Sequence, residues 1–383
     1  MFNFRFYACK LNKAKTLCLL FLEGDFLMNR AFIYVVISTI LLCSFNAYAG
    51  TARTAAQFLS TDGGTRAAGM GDAFSAISGD VISAFWNPGG LATITEKQAI
   101  IAYSNISAMF GEASEGMYYG VMAFAMPVGN LGVFGTALQL QDQGTTTKTE
   151  ADPRGGPLII GEEDLGMNWA WAICYADELA DGFSTGVNAK LIRQVLLDES
   201  DIAYAADLGI VYAVPLHLGA SFMPNKPVSI GIALQNLGTA IQMKDANQSE
   251  PLPRNLKLGL ALKLIETPAH RFQLVSDYTS FIDKLKETEE DKKEPKFDPV
   301  KAGVGIYAFR PDNSQQSIGA EYWYANMLGI RVGYKYVPDR PGNRVTMGFS
   351  IRYSNYQIDY ARVPGIDIPG GGDIDKIAVM FRF

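Results

Sequence analysis

From about Gln98 to the last residue, large apolar positions alternate with small or polar ones at a period of two. Leu256, Leu258, Leu260, Leu262 and Leu264 interleave with Lys257, Gly259, Ala261 and Lys263. Leu328, Ile330, Val332, Tyr334 and Tyr336 interleave with Gly329, Arg331, Gly333 and Lys335. Val228, Ile230, Ile232 and Leu234 do the same with Ser229, Gly231, Ala233 and Gln235. The chain stops in the same register, with Ile377, Val379, Phe381 and Phe383 on one face and Lys376, Ala378, Met380 and Arg382 on the other. Successive side chains of a strand point to opposite faces, so each segment has one apolar face and one small or polar face.

Two architectures give this pattern. A soluble sandwich turns the apolar face inward; a membrane barrel turns it outward to lipid and lines its lumen with Gly, Ser, Lys and Arg. Segment length favours the barrel. The segments run to about ten residues, as a tilted span of the bilayer requires, whereas soluble strands average nearer 5–6. Tyr103, Tyr175, Tyr278, Tyr336 and Tyr353 sit near segment ends, as interfacial girdles do. After the first fifty or so residues no apolar run reaches the roughly 18 residues that a spanning helix needs. The expected fold is therefore all-β: a transmembrane antiparallel β-barrel.

About fifteen segments can be counted, and bacterial barrels use even numbers, so about 14 strands are expected, with 12 or 16 as alternatives. Pro127–Asn130, Asp177–Gly182, Ala325–Met327 and Tyr353–Tyr356 are expected as periplasmic turns and Gln141–Glu163 as a long outer loop. Counts from the two ends fall out of step between about 210 and 310, where the charge run Asp283–Asp298 lies, a solvated loop by its composition. Leu260 is expected to face hydrocarbon, so that Leu260→Arg is damaging, and Gly259→Ser on the other face is expected to be mild.

Composition agrees with a membrane barrel. Hydrophobic residues make up 48% of the 383 and charged residues only 19%, below the roughly 25% usual in soluble proteins. The formal net charge of −6 argues against a nucleic-acid partner. Residues 1–27 read as an upstream extension and 28–49 as a signal peptide. Arg30 supplies the basic start, Ala31–Cys43 the apolar core, and Ala47-Tyr48-Ala49 the small-x-small cleavage site. The apolar core is too short for a spanning helix of about 20 residues, and bulky Leu42 argues against lipid attachment at Cys43. Cleavage after Ala49 leaves 28 basic against 37 acidic residues, a balance of −9, and Cys174 as the sole cysteine. No intramolecular disulfide can then form, and barrel closure, which leaves no strand edge, takes over that role.

Candidate chemistry is sparse. His217 and His270 have no Cys or His partners at metal-ligand spacing. Gly69-Met70-Gly71 does not complete a dinucleotide fingerprint, and neither a nucleophile elbow nor a Walker loop occurs. The expectation is a non-enzymatic protein with no catalytic residues, cofactor or metal.

Residues 50–95 differ from the barrel segment 96–383. Phe58–Ala92 is rich in Gly and Ala and hardly alternates. Gly63–Gly71 suits tight turns, Asp72–Ser83 a short helix, and Asn87-Pro88-Gly89 a turn that ends it. The stretch Gly64-Thr65-Arg66-Ala67-Ala68-Gly69-Met70-Gly71, followed by Trp86-Asn87-Pro88-Gly89-Gly90-Leu91, resembles the start of PorV/PorQ-family outer-membrane proteins, relatives of the FadL transporters. Gly319-Ala320-Glu321-Tyr322, Arg331-Val332-Gly333-Tyr334 and the terminal Phe383 extend the resemblance. It implies that residues 50–95 form a plug in the lumen, with Arg66, Gly69, Gly71, Trp86, Asn87 and Pro88 as its motif. Trp86 would anchor it, Asn87 would cap the local backbone and Pro88 would fix the turn into the first strand. Lumen-facing Arg331 and Lys335 could pair with Asp72 or Asp80. Val379, Phe381 and Phe383 would form the signal read by the barrel-assembly machinery. The implied function is a type IX-like secretion role, as cargo shuttle or surface-attachment component, with secretion-system proteins or secreted cargo as partners. The alternative is FadL-like transport of a hydrophobic or amphipathic small molecule. A lumen path lined by Phe, Leu and Met would favour transport, and a closed lumen with large outer loops would favour the interaction role.

Overall fold

The computed structural model describes residues 54–61, 63–109, 116–151, 155–216, 221–243, 249–282, 314–337, 343–365 and 372–383. The expected signal peptide and the charge run lie outside them. In chain order the strands begin with β1 (Gln98–Asn105), β2 (Tyr118–Pro127), β3 (Val133–Asp142), β4 (Thr145–Ala151) and β5 (Pro157–Asp164). They continue with β6 (Met167–Ala180), β7 (Phe183–Leu196), β8 (Glu199–Val214), β9 (Val228–Gly238), β10 (Ile241–Gln242) and β11 (Ser249–Glu250). The last are β12 (Asn255–Glu266), β13 (His270–Phe281), β14 (Ser314–Tyr324), β15 (Leu328–Tyr336), β16 (Arg344–Tyr353), β17 (Tyr356–Val363) and β18 (Ile374–Arg382). All but β4, β5, β10 and β11 join one closed antiparallel barrel of 14 strands. Closure is made by β1 on β18, with Gln98 opposite Arg382 and Ala102 opposite Ala378.

The alternating faces resolve as a membrane barrel and not as a sandwich. Ile330, Val332 and Tyr334 point outward and are exposed, while Gly333, Arg331 and Lys335 are buried inward. On β18, Ile377 is exposed and Lys376, Ala378 and Met380 are buried. An apolar exterior with a polar interior is stable only where the exterior meets lipid. Aromatic pairs mark both rims of the apolar band. Tyr103 stacks on Tyr118 toward one end; Phe134 packs on Tyr175 and Tyr356 on Phe381 toward the other.

Both ends of the barrel wall, Gln98 and Arg382, lie at one rim, together with the turns 128–132, 181–182, 267–269, 325–327 and 354–355. In outer-membrane barrels that rim is periplasmic. The opposite rim carries the longer connections, among them the β4–β5 and β10–β11 hairpins. β8 has 16 residues and β6 and β7 have 14 each, more than the 9–11 a span needs, so this side of the wall stands proud of the bilayer. In the region where the two strand counts fall out of step, β13 pairs directly with β14, Val275 opposite Gly319.

A plug held in the lumen

The segment that hardly alternates fills the barrel. Ala67, Met70, Ala73, Phe74, Val81, Ile82 and Leu91 are all fully buried, in one cluster with inward residues of β1, β2, β3, β6 and β18. Among the described residues of this segment, helical structure is limited to the single turns Gln57–Ser60, Thr65–Ala68, Ser83–Trp86 and Pro88–Leu91. The helix expected over Asp72–Ser83 does not form. The backbone N–H groups of Phe74 and Ser75 donate to Asp277 Oδ2 at 2.9 and 2.8 Å, and that of Val81 donates to Gln98 Oε1 at 3.0 Å. Wall side chains take the donors that a helix would have used internally, and positive φ at Gly71, Asp72 and Gly79 breaks any helical run.

Arg66 is the electrostatic centre. Its Nη1 meets Asp80 Oδ2 at 2.7 Å, while Nε and Nη2 grip both oxygens of Glu321 on β14 at 2.8 and 2.5 Å. This planar two-point contact is specific to a guanidinium. Burial works against the charge of Arg66, but Glu321 and Asp80 outweigh it and hold the group more firmly protonated than a free arginine. Glu321 also accepts from Arg331 Nε at 2.6 Å and Gln273 at 2.7 Å. Arg331 in turn reaches Ser350 and Asp359. Of the expected ion pairs, Lys335 with Asp72 is present at 2.6 Å. Arg331 pairs with wall carboxylates instead of plug acids, because Asp80 is taken by Arg66.

The other motif residues tie plug to plug and plug to wall. Trp86 is 4% exposed; its Nε1–H donates to the Gly63 carbonyl at 2.7 Å, and Lys257 Nζ of β12 stands 3.9 Å above its ring. Asn87 Oδ1 accepts from the Gly89 N–H and caps the turn that Pro88 opens. Asn87 Nδ2 donates to the carbonyls of Ser75, at 2.7 Å, and of Ile210 on β8, at 2.9 Å. Gln235 and Asn188 donate to the carbonyls of Phe85 and Ala84.

Between these polar contacts the two backbones touch. Gly71 has φ 67°, and a Cβ there would lie 2.8 Å from Tyr334 N. Gly69 meets Gly348, with 3.2 Å from a Cβ to its Cα. On β7 and β8, Gly186 and Gly209 face Pro88 and Gly89, and on β14 and β15, Gly319 and Gly333 face Met70 and Gly71. At Gly259 a Cβ would meet Ala76 N at 2.7 Å and Asp277 Oδ1 at 2.8 Å. The expectation that Gly259→Ser is mild is thereby overturned, because the lumen face here is contact surface for the plug and not open space. Sequence reasoning missed Asp277, Glu321 and the wall glycines as plug-holding residues. Their only signal is that the small inward positions recur as glycine.

The terminal strand sits as its alternation requires, with Val379 and Phe381 half-buried and Phe383 exposed on the outward face. The Phe383 backbone exchanges two hydrogen bonds of 3.0 Å with Lys97, sealing the end of the seam.

The fold has solved counterparts. The toluene transporter TbuX of Ralstonia pickettii superposes with a TM-score of 0.53 at 14% identity, covering 84% of this chain and 98% of that one. The toluene transporter TodX of Pseudomonas putida gives 0.51 at 12% identity, covering 88% and 98%. At these identities the likeness is one of fold. No curated protein sequence matches the chain. A family model described as type IX secretion system protein PorV matches residues 46–283, which hold the whole plug and the wall through β13. With the plug motif in place and well over half of the sequence matched, this outer-membrane β-barrel belongs to the PorV family.

Proposed function

We propose that this protein is a type IX secretion component of the outer membrane that works by interaction, as a shuttle for secreted cargo or in its attachment at the cell surface. The single observation that carries this is the family match over residues 46–283. The character of the lumen supports it. The inward wall presents Lys190, Asp207, Gln235, Asp277, Glu321 and Arg331; Gln235, Asp277 and Glu321 are engaged by the plug, and Lys190, Asp207 and Arg331 by polar neighbours on the wall. A hydrophobic solute crossing such a lumen would strip polar groups of partners at a cost of several kcal/mol.

The transport reading keeps one specific foothold. Phe58 and Leu59 of the plug's first segment pack with Ile192, Ile241 and Leu252 in an apolar cluster toward the outer mouth. An amphipathic molecule could be held there only by displacing Phe58 and Leu59. In either role the mature chain begins at Gly50 after removal of the signal 28–49. Residues 50–95 act as the lumen stopper, and Val379, Phe381 and Phe383 are read during insertion. Partners are outer-membrane lipid, the barrel-assembly machinery and secretion-system proteins or their cargo.

The test is removal of the protein from its host. Type IX cargo is expected to accumulate in the periplasm and vanish from the surface. Normal cargo distribution with lost uptake of an amphipathic solute would transfer the assignment to transport.

A further inference from the structure

Beneath the plug, at the periplasmic rim, the barrel encloses a cavity of about 260 Å³. It is lined by the periplasmic ends of β1, β12, β13, β14, β16 and β18, with Arg66, Asp80 and Glu321 at its roof. Its lower wall is built around Trp323. Three guanidiniums approach that indole: Arg352 at 4.5 Å, Arg331 at 5.4 Å and Arg271 at 5.6 Å from the ring centroid. A fourth, Arg382, stands beside them at the end of β18.

These cations are not equally satisfied. Arg331 is neutralised by Glu321 and Asp359. Arg271 and Arg352 have, among the described residues, no carboxylate within ion-pair distance. Both donate to one neutral carboxamide oxygen, Asn326 Oδ1. Arg352 and Arg382 share a second, Gln357 Oε1, at 2.6 and 3.1 Å. Two carboxamide oxygens therefore serve three guanidiniums. Arg271 Nε is buried and has no acceptor at all. The carboxylates nearest the mouth do not close this gap. Glu96 lies 3.4 Å from Arg382 but is half exposed, and Glu266, opposite Arg271 in the β12–β13 register, is exposed. On a chain of net charge −6 this is a local excess of positive charge in a walled space, and two of its guanidiniums, those of Arg271 and Arg352, lack ionic partners among the described residues.

We infer that the periplasmic vestibule is a binding site for a carboxylate group, gripped by Arg271 and Arg352 over the Trp323 ring and assisted by Arg382. A carboxylate supplies two charged acceptors in the plane of the guanidinium fork, where the carboxamides supply one neutral oxygen to be shared. The volume sets the size of the ligand. It falls just below the roughly 300–1,000 Å³ of pockets that hold drug-sized molecules, so it admits a small dicarboxylate or a single acidic chain end, not a bulky solute. Both sources offer the same chemistry, and the site is reachable only from the periplasm while the plug is seated. The inference does not depend on whether the barrel serves secretion or transport.

The full-length protein in detergent micelles would be titrated calorimetrically at constant ionic strength with two probes: succinate, and a short N-acetylated peptide ending in glutamate. Saturable binding of at least one is expected. Binding by succinate alone identifies a free small carboxylate as the source, and tighter binding by the peptide identifies a chain end. Arg352→Gln and Arg271→Gln should each weaken the bound probe by about tenfold or more, the scale of a lost charge-assisted hydrogen bond. Arg352→Lys, which keeps the charge without the fork, should fall between. A second measurement needs no variant: the bound probe should protect Arg271 and Arg352 of the native protein from an arginine-modifying dicarbonyl, read by mass spectrometry. Absence of saturable binding by either probe, or equal modification with and without the probe, overturns the inference.

Discussion

Gly259 and Leu260 are neighbours whose side chains answer to different solvents, and their substitutions should fail in different ways. Leu260 alternates with the inward Gly259 and faces hydrocarbon, so Leu260→Arg should cost about 2–4 kcal/mol of barrel stability. It should reduce the folded, heat-modifiable species on unheated gels. Gly259→Ser places atoms where Ala76 N and Asp277 already lie. Overpacking of that kind costs about 1–3 kcal/mol, and here the strain falls on plug docking and not on strand pairing. Its expected signature is raised ion conductance in planar bilayers with normal insertion. Arg66→Ala should act in the same sense and more strongly. Asp80 loses its ion pair and Glu321 two of its three guanidinium contacts in a largely buried site, a loss of about 3–5 kcal/mol. Arg66→Lys should rescue only part, because an ammonium cannot grip Glu321 at two points and still reach Asp80. Wild-type conductance in the Arg66→Ala barrel would refute the view that this pair holds the plug.

At the scale of elements, the strand ladder of the wall is complete without the plug, which is held by side-chain hydrogen bonds. The wall strands pair only with one another, and β1 closes on β18 without help from the plug. Deleting residues 63–90 should therefore leave a barrel that still inserts, but one that conducts ions where the intact protein conducts little. Equal conductance would mean that the segment is not the stopper and would favour its reading as a partner-binding arm. The terminal strand makes the opposite prediction. Removing Phe383 takes away both hydrogen bonds to Lys97 and the last outward aromatic. The amount of folded barrel in the outer membrane should drop, with little change in the conductance of the barrels that do insert.

For the molecule as a whole, the polarity is inside out relative to a soluble protein, with buried charges such as Asp80, Asp277 and Glu321 where the plug meets the wall. That arrangement makes the lumen a structural interior, which leaves the outer loops and the periplasmic vestibule as the surfaces available to partners. Export should set the mature N-terminus at Gly50; N-terminal sequencing of envelope protein that finds residues upstream of Ala31 would contradict the cleavage site.

The barrel itself was readable along the chain, because a period of two is local and survives without knowledge of any neighbour. The outward Ile330-Val332-Tyr334 row, the terminal strand and four of the turns all follow from that alternation together with strand length. The plug was legible only as an interruption of the pattern with a familiar motif, and one of its ion pairs, Lys335 with Asp72, could be guessed from charge and face. What holds it in place could not be. Arg66 and Glu321 are 255 positions apart, Phe74 and Asp277 203, and a single sequence carries no record of which distant inward positions share a level of the barrel. The same limit hid the helix that fails to form at Asp72–Ser83, since its N–H groups are claimed by wall side chains that local propensity cannot see. It also hid the cost of a side chain at Gly259. Strand register and closure decided these points, because they alone determine which backbone meets which glycine and which carboxylate meets which guanidinium.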